Sequence, residues 1–250
     1  MKIVISLIDL FKRGCHKGRA RSKTYPKMAD SIYGFQHGIS IIDLTKTKNE
    51  MEIALDFVQK LGETNKQMII VGTGKHISDL VIESSKKMGT GMPYVAERWL
   101  GGTLSNWDTV RKTLKTLSRL KSLRENQEEF SELKKKERLS IERRIQKLES
   151  VFGGLSILKN NHPAAIVVLD ITKDDLAVRE AGSIPVVALI NTNENPGDIK
   201  FRIPANTYSR SLVSFFLDKL VESYNLGQEI RVKEMAETKE VKKEDIRVKA

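Results

Sequence analysis

The chain has 250 residues, of which 40% are hydrophobic, and its 43 Lys and Arg against 32 Asp and Glu give a formal charge of +11. The length and the ordinary apolar content exclude an intrinsically disordered chain and fit one large domain with an appendage. The positive charge favours a polyanionic partner, because Lys and Arg displace the counterions that condense on the phosphates of nucleic acids.

The N-terminal residues are apolar, but Asp9 interrupts them and no small-residue cleavage site follows. We therefore expect a short amphipathic helix from Ser6 to Arg13 and not a signal peptide. The single cysteine, Cys15, excludes an internal disulfide and is typical of a reducing compartment. Since no apolar run approaches the roughly 20 residues that span a bilayer, we predict a cytoplasmic protein.

Residues 14–30, here called the basic segment, are predicted to form an extended loop. They lack a sustained apolar period and contain Gly18 and Pro26. The near absence of acids distinguishes the segment from an ordinary solvated surface of mixed charge. Its cations can follow a folded phosphate backbone while an interleaved aromatic ring stacks on a base. The candidate RNA-binding residues in this segment are Lys17, Arg19, Arg21, Lys23, Tyr25 and Lys27.

Short apolar runs alternate with helical segments along the chain, which predicts a doubly wound α/β fold with a mainly parallel, five-stranded sheet of the Rossmann or flavodoxin type. The first long helix has apolar residues three and four positions apart, with Thr47 as its expected cap and Gly62 as its expected end. A last long helix is expected to begin at Thr207. The five predicted strands are residues 38–44, 68–71, 93–96, 164–169 and 184–190.

The segment Arg-Trp-Leu-Gly-Gly-Thr-Leu-Ser-Asn-Trp, residues 98–107, is predicted to be a hinge between the sheet and a projecting arm. Gly101 and Gly102 allow a sharp turn, and the two flanking tryptophans indicate a turn that is fixed by burial. Thr103 or Ser105 is the expected cap of the helix that follows.

The arm, residues 104–151, has two narrow apolar stripes separated by a polar break near residues 125–131. This pattern favours an antiparallel helical hairpin of coiled-coil type, with one continuous helix as the alternative. The predicted α/β domain consists of residues 1–103 and 152–226, and the arm is an insertion in it. Residues 227–250 alternate in charge and are expected to be a flexible or loosely helical tail.

The turn at residues 72–75 follows a strand and opens a helix, which is where α/β folds bind phosphates. A nucleotide-binding loop would need Gly in place of Ile69 and Ser or Thr in place of His76, and a dinucleotide fingerprint would need Gly in place of Ile77. The four histidines are scattered, so we predict no catalytic residues, no metal and no cofactor. Lys75 is kept as a candidate phosphate contact. A nucleotide-binding, Rossmann-like enzyme is the alternative.

Residues 98–107 closely resemble the signature of the small ribosomal subunit protein S-two family. Further matches occur in the same order along the chain, at residues 26–28, 39–47, 71–73, 153–154, 184–188 and 191–193. The resemblance extends to about residue 224. The chain departs from the family pattern at His-Lys-Gly-Arg, residues 16–19, where the family usually has His-Phe-Gly-His.

The resemblance implies an α/β domain with a coiled-coil arm and a structural, non-enzymatic role in translation. It implies binding to small-subunit ribosomal RNA and to neighbouring ribosomal proteins, including the large protein S-one in bacteria. The protein would then be bound to ribosomes in the cytoplasm or in an organelle. At positions that match the family motif, RNA contact is expected of His16, Gly18, Lys27, Arg98, Gly101 and Gly102. Arg111 on the arm is a secondary candidate.

Overall fold

The computed structural model describes residues 3–89, 91–158, 162–197 and 199–248, with side chains to residue 236. The helices are α1 Leu7–Lys12, α2 Leu44–Glu63, α3 Ser78–Lys87, α4 Trp107–Glu125, α5 Gln127–Glu132, α6 Lys135–Phe152, α7 Ile171–Glu180 and α8 Arg210–Val248. The strands are β1 Lys17–Ala20, β2 Ile32–Gln36, β3 Ile39–Ile42, β4 Met68–Val71, β5 Tyr94–Val95, β6 Ala165–Val168, β7 Val186–Ile190 and β8 Phe201–Pro204. In the part of the chain that the structure describes, no helix is long and apolar enough to cross a membrane.

The main sheet has five parallel strands in the order β5-β4-β6-β7-β8. Numbered within the sheet, this is the order 2-1-3-4-5 of flavodoxin-like folds. The predicted doubly wound α/β class is therefore confirmed. The strand order reverses between β4 and β6, and the carboxyl ends of these two strands form the switch point of the sheet.

One predicted strand belongs elsewhere. Residues Ile39–Ile42 are not part of the parallel sheet but form the middle strand, β3, of a separate antiparallel sheet with the order β1-β3-β2. The fifth parallel strand is β8, which the sequence pattern did not indicate. This strand is short, contains the exposed Arg202 and ends in Pro204, which an edge strand tolerates.

Alternate residues of the central strands support two separate cores. Met68 and Ile70 pack with helices α1, α2, α3 and α8 on one face of the sheet. Ile69 and Val71 pack on the other face with Trp99, Trp107 and residues of α7. Because both faces are covered, the strands are continuously apolar, as expected for a buried parallel sheet.

Helix α2 begins earlier than predicted. Asp43 is its N-cap, with Oδ1 accepting a hydrogen bond from the Thr45 N–H at 2.9 Å. Thr47 is buried inside the helix, and its hydroxyl donates to the backbone oxygen of Pro204 at 2.6 Å. Thr47 therefore joins α2 to the end of β8 and does not cap the helix.

Gly62 does not end α2 but allows α8 to cross it closely. A Cβ atom at Gly62 would overlap the backbone oxygen of Tyr224, and a Cβ atom at Gly227 would overlap the backbone oxygen of Gln59. Helix α8 passes through Gly227 and continues to Val248, where a flexible or loosely helical tail was expected. It begins at Arg210, three residues after the predicted start; residues 249–250 of the expected tail lie outside the described residues.

The arm consists of α4 and α6, which pack against each other, with the short helix α5 between them. Because α4 ends at Glu125, the arm is not one continuous helix. Lys121 and Glu149 form an ion pair across the two helices at 2.6 Å. The limits of the α/β domain and of the arm, as assigned from the sequence, stay predictions.

Candidate nucleic-acid interface

The basic segment is more ordered than the predicted extended loop. Its residues 17–20 form strand β1, which pairs antiparallel with β3. Two hydrogen bonds then fix the segment to the loop after β7: the Arg19 N–H donates to the Thr192 side-chain Oγ1 at 2.8 Å, and the Tyr25 N–H donates to the backbone oxygen of Thr192 at 2.8 Å. The segment is therefore held at the carboxyl edge of the parallel sheet, close to its switch point.

Gly18 has a structural reason to be glycine. A Cβ atom at this position would lie 2.6 Å from Thr192 Cγ2 and 2.7 Å from the backbone oxygen of Ser40. A larger residue would push β1 away from the sheet edge. This contact accounts for Gly18 without any RNA, so its predicted role in RNA binding stays a prediction.

Lys17, Arg21, Lys23 and Lys27 are exposed to solvent. Arg19 differs from them, because it is half-buried and its guanidinium carbon lies 3.5 Å from the centre of the Tyr208 ring. Such a cation–π contact orders the side chain, and the positive charge of Arg19 then interacts with a ring of the protein itself. The four exposed cations therefore form the surface that is available to a polyanion.

His16 and Tyr25 are less accessible than the sequence suggested. The His16 ring stacks on Phe11 with 4.4 Å between ring centres, and burial together with the Lys17 charge lowers the pKa of His16. The lowered pKa favours the neutral imidazole, so His16 adds little positive charge to the segment. Tyr25 is half-buried and packs against the core cluster that contains Trp99. Stacking of a base on Tyr25 stays a prediction.

Two exposed aromatic residues were not among the predicted candidates. Tyr33 is 83% exposed and Phe35 is 48% exposed, and both lie on strand β2. The Arg21 guanidinium carbon lies 4.6 Å from the centre of the Phe35 ring. The alternation Ile-Tyr-Gly-Phe-Gln in the sequence was the available signal, since it places both rings on one face of a strand.

The turn at residues 72–75 lies near the basic segment. Lys75 is exposed, and the neighbouring His76 ring is parallel to the Tyr208 ring at 6.3 Å between centres. Tyr208 in turn contacts Arg19, so these side chains join the turn after β4 to the basic segment. Contact of Lys75 itself with a phosphate stays a prediction.

The hinge is held by one carboxylate. Glu180 of α7 accepts hydrogen bonds from the Gly102 N–H at 2.7 Å and from the Leu104 N–H at 3.0 Å. Gly102 has a φ angle of +89°, in the region that favours glycine. The hinge is therefore fixed to the sheet domain by a charge-assisted pair of bonds.

The remaining hinge and arm candidates have different surroundings. Arg98 and Gly101 are exposed, whereas Arg111 on α4 is half-buried. The expected caps of α4 were wrong: Asn106 precedes the helix without a side-chain cap, and the Thr103 hydroxyl donates to the backbone oxygen of Leu100 at 2.6 Å. RNA contact by Arg98, Gly101, Gly102 and Arg111 stays a prediction.

The switch point contains buried carboxylates. Asp174 on α7 accepts a hydrogen bond from the Thr73 hydroxyl at 2.7 Å and from the Thr73 N–H at 3.2 Å, which joins the two sides of the crevice. Asp170 and Glu194 are also buried beside it. Three carboxylates disfavour a phosphate at the position where related folds bind nucleotides. Among the described residues, no His, Cys, Asp and Glu side chains are grouped so as to hold a metal ion.

Burial raises the pKa of Glu194 to about 7 and that of Asp174 to about 6, and the charge of Asp170 adds to both effects. Opposing these, the Asn191 N–H and the Thr172 hydroxyl donate to Glu194 at 2.9 and 2.8 Å and favour its ionised form. At a pH above the ordinary pKa of a carboxyl group, these two acids are therefore still partly protonated in the folded protein, whereas in the unfolded chain they have lost their protons. The stability that these groups contribute is present at low pH and is lost as the pH rises through about 7.

We expect Glu194→Gln to make the free energy of unfolding less dependent on pH between about pH 5 and pH 8. The neutral amide imitates the protonated acid, so the variant should be more stable than the parent at high pH by on the order of 2 kcal/mol and similar to it at low pH. Urea unfolding at several pH values measures this difference. Comparison with the parent removes the contribution of His16, whose lowered pKa acts in the opposite direction. A constant difference across the range would contradict a titrating Glu194.

Known proteins of one family are similar to this protein over most of its chain. Residues 10–227 match the family model described as Ribosomal protein S2. Proteins named small ribosomal subunit protein uS2 are similar to the chain. The one from Amoebophilus asiaticus (strain 5a2) is 36% identical over 94% of this chain and 74% of the relative. The one from Francisella tularensis subsp. novicida is 37% identical, with 86% and 89% covered. The one from Chloroherpeton thalassium is 41% identical, with 81% and 80% covered.

Proposed function

Because the chain belongs to the ribosomal protein S2 family, we infer that it is a structural constituent of the small ribosomal subunit and that it binds ribosomal RNA through the basic segment. The observation that carries the RNA-binding assignment is the exposure of Lys17, Arg21, Lys23 and Lys27 on backbone that is fixed to the sheet edge.

The proposed mechanism is neutralisation of phosphates by a preformed surface. The antiparallel pairing of β1 and the two bonds to Thr192 hold the backbone of the segment before RNA arrives. Less conformational entropy is then lost on binding than in a flexible basic tail. Contacts with phosphates release counterions, which makes the affinity depend steeply on salt.

The proposed role is structural and not catalytic. At the switch point, the hydrogen bonds between Asp174 and Thr73 and the surrounding buried carboxylates disfavour the nucleotide that the alternative enzyme would need. The arm has exposed, charged helix surfaces, and we propose that it contacts neighbouring ribosomal proteins or RNA. From the same family membership we propose that the protein helps to dock the large protein S-one. We also propose that its ribosome is cytoplasmic or organellar.

The assignment is tested by sedimentation. The tagged full chain is expressed in bacteria that are depleted of their own relative of this protein, and the lysate is centrifuged through a high-salt gradient. We expect the chain to sediment with small ribosomal subunits and to stay with them after the wash. A chain that stays at the top of the gradient, away from ribosomal particles, would refute the proposed function.

A further inference from the structure

A cleft of about 340 Å³ lies beside the basic segment, between residues 26–31, the first turns of α2 and the carboxyl ends of β7 and β8. We call it the β8 cleft. Its volume is near the lower end of the range for small-ligand sites, roughly 300–1,000 Å³. Of the cleft residues, only Lys27 was a candidate for RNA binding.

The walls of the β8 cleft are joined to one another by hydrogen bonds. The Thr47 hydroxyl joins α2 to the backbone oxygen of Pro204 at 2.6 Å. The Asp43 N–H donates to the backbone oxygen of Ser31 at 3.0 Å, and Lys46 Nζ donates to the backbone oxygen of Asp30. The cleft is therefore formed in the free protein and does not depend on a ligand to assemble it.

Three cations line the cleft: Lys27, Lys46 and Arg202. All three are exposed, and within the described residues neither Lys27 nor Arg202 makes an ion pair. The N-terminus of helix α2 is already capped by the Asp43 carboxylate, so the positive charge of the cleft comes from the three side chains. Asp30 and Glu50 also line the cleft, so the cations outnumber the acids, and the surplus favours an anion.

The floor of the cleft is apolar. Met28, Ile190 and Pro204 are among the lining residues, and because they are buried only their edges reach the cleft next to the three cations. An inorganic anion would use the cations alone, whereas a nucleotide has both a phosphate and a flat, weakly polar base. The combination of cationic rim and apolar floor therefore fits a nucleotide better than phosphate.

We propose that the β8 cleft binds one unstacked nucleotide of ribosomal RNA. Its phosphate lies between Lys27, Lys46 and Arg202, and its base rests on Met28 and Pro204. Glu50 and Asn49 are placed to accept or donate hydrogen bonds to ribose hydroxyls, of which DNA lacks the 2′ group. The inference rests on the proposed function and specifies a single-stranded element of the RNA as the ligand.

The test uses the full chain and naked small-subunit ribosomal RNA, with affinity measured over a series of salt concentrations. Arg202→Ala removes one cleft cation and should reduce the magnitude of the salt slope by about 1 and the affinity several-fold. Asn49→Trp fills the cleft without a change of charge and should weaken binding while leaving the slope nearly unchanged. Lys200→Ala is the matched control, since it removes a neighbouring exposed cation outside the β8 cleft, and its affinity should change much less than that of Arg202→Ala.

Both cleft variants alter exposed side chains and are expected to fold, which thermal unfolding of each variant checks. If Asn49→Trp and Arg202→Ala bind like Lys200→Ala while changes in the basic segment still weaken binding, the cleft proposal is overturned and the proposed function stands. If the parent chain does not bind the RNA, both are refuted.

Free AMP and inorganic phosphate are tested alongside. If Arg202→Ala weakens the binding of free AMP or phosphate but not that of RNA, the ligand is a small molecule and the proposal is likewise overturned.

Discussion

A chain in which Lys17, Arg21, Lys23 and Lys27 are all replaced by alanine is expected to lose most of its affinity for ribosomal RNA. These four cations are exposed on backbone that β3 and Thr192 hold in place. Each phosphate contact contributes about 0.7–0.9 to the slope of log affinity against log salt, so four lost contacts should reduce its magnitude by about 3. Filter binding between low and physiological salt measures both quantities. Arg19 is left unchanged, because its contact with Tyr208 makes it part of the fold.

The matched control removes four exposed cations from the opposite part of the molecule: Lys60, Lys66, Lys86 and Lys233. They lie on α2, α3 and α8 or directly after α2, so the net charge falls by the same amount without a change in the basic segment. The control should keep a slope close to that of the parent chain. Equal slopes for the two quadruple variants would show that general charge, and not the basic segment, determines binding.

Trp99→Ala is expected to destabilise the protein by about 3–5 kcal/mol, the usual cost of truncating a large buried aromatic residue. Trp99 is 5% exposed and packs on the face of the sheet that also contains Trp107 and Leu104. Its loss leaves a cavity beneath the hinge, and the hydrogen bonds from the hinge to Glu180 do not replace the lost apolar contacts. Urea denaturation of the parent and the variant measures the difference in the free energy of unfolding.

Trp99→Phe is the informative control. Trp99 Nε1 is buried and has no hydrogen-bond partner among the described residues, so phenylalanine keeps much of the ring while it removes an unpaired polar group. This variant should lose less than half as much stability as Trp99→Ala. Tyr33→Ala, at a site that is 83% exposed, should change stability little. A small effect of Trp99→Ala, below about 1 kcal/mol, would mean that the hinge is not fixed by burial.

The main features of the sheet could be predicted because they depend on local pattern. Met68–Val71 and Val186–Ile190 are short and apolar at each position, as expected for strands of a parallel sheet covered on both faces. Strand β8 could not be found this way, since Arg202 interrupts its apolar pattern and its pairing with β7 depends on the rest of the sheet. The assignment of β3 to a second sheet likewise depends on β1, whose basic residues indicate a loop when read alone.

The composition of the candidate site was visible in the sequence, but its geometry was not. The run of cations at residues 17–27 is local, whereas the Arg19 N–H donates to the hydroxyl oxygen of Thr192, which lies 173 residues further along the chain. The bond between Glu180 and the Gly102 N–H joins residues 78 positions apart. No periodicity encodes such contacts. The exposure of the aromatic residues could not be predicted either: Tyr25, the expected stacking residue, is half-buried, whereas Tyr33 is exposed.

We propose that the basic segment, held at the carboxyl edge of the sheet, is the part of this protein that contacts RNA. Ultraviolet cross-linking of assembled small subunits, followed by mass spectrometry of the cross-linked peptides, tests it most directly. We expect RNA adducts on peptides that contain residues 17–27. Adducts confined to α2, α3 and α8, with the peptides of residues 17–27 recovered unmodified, would contradict the account.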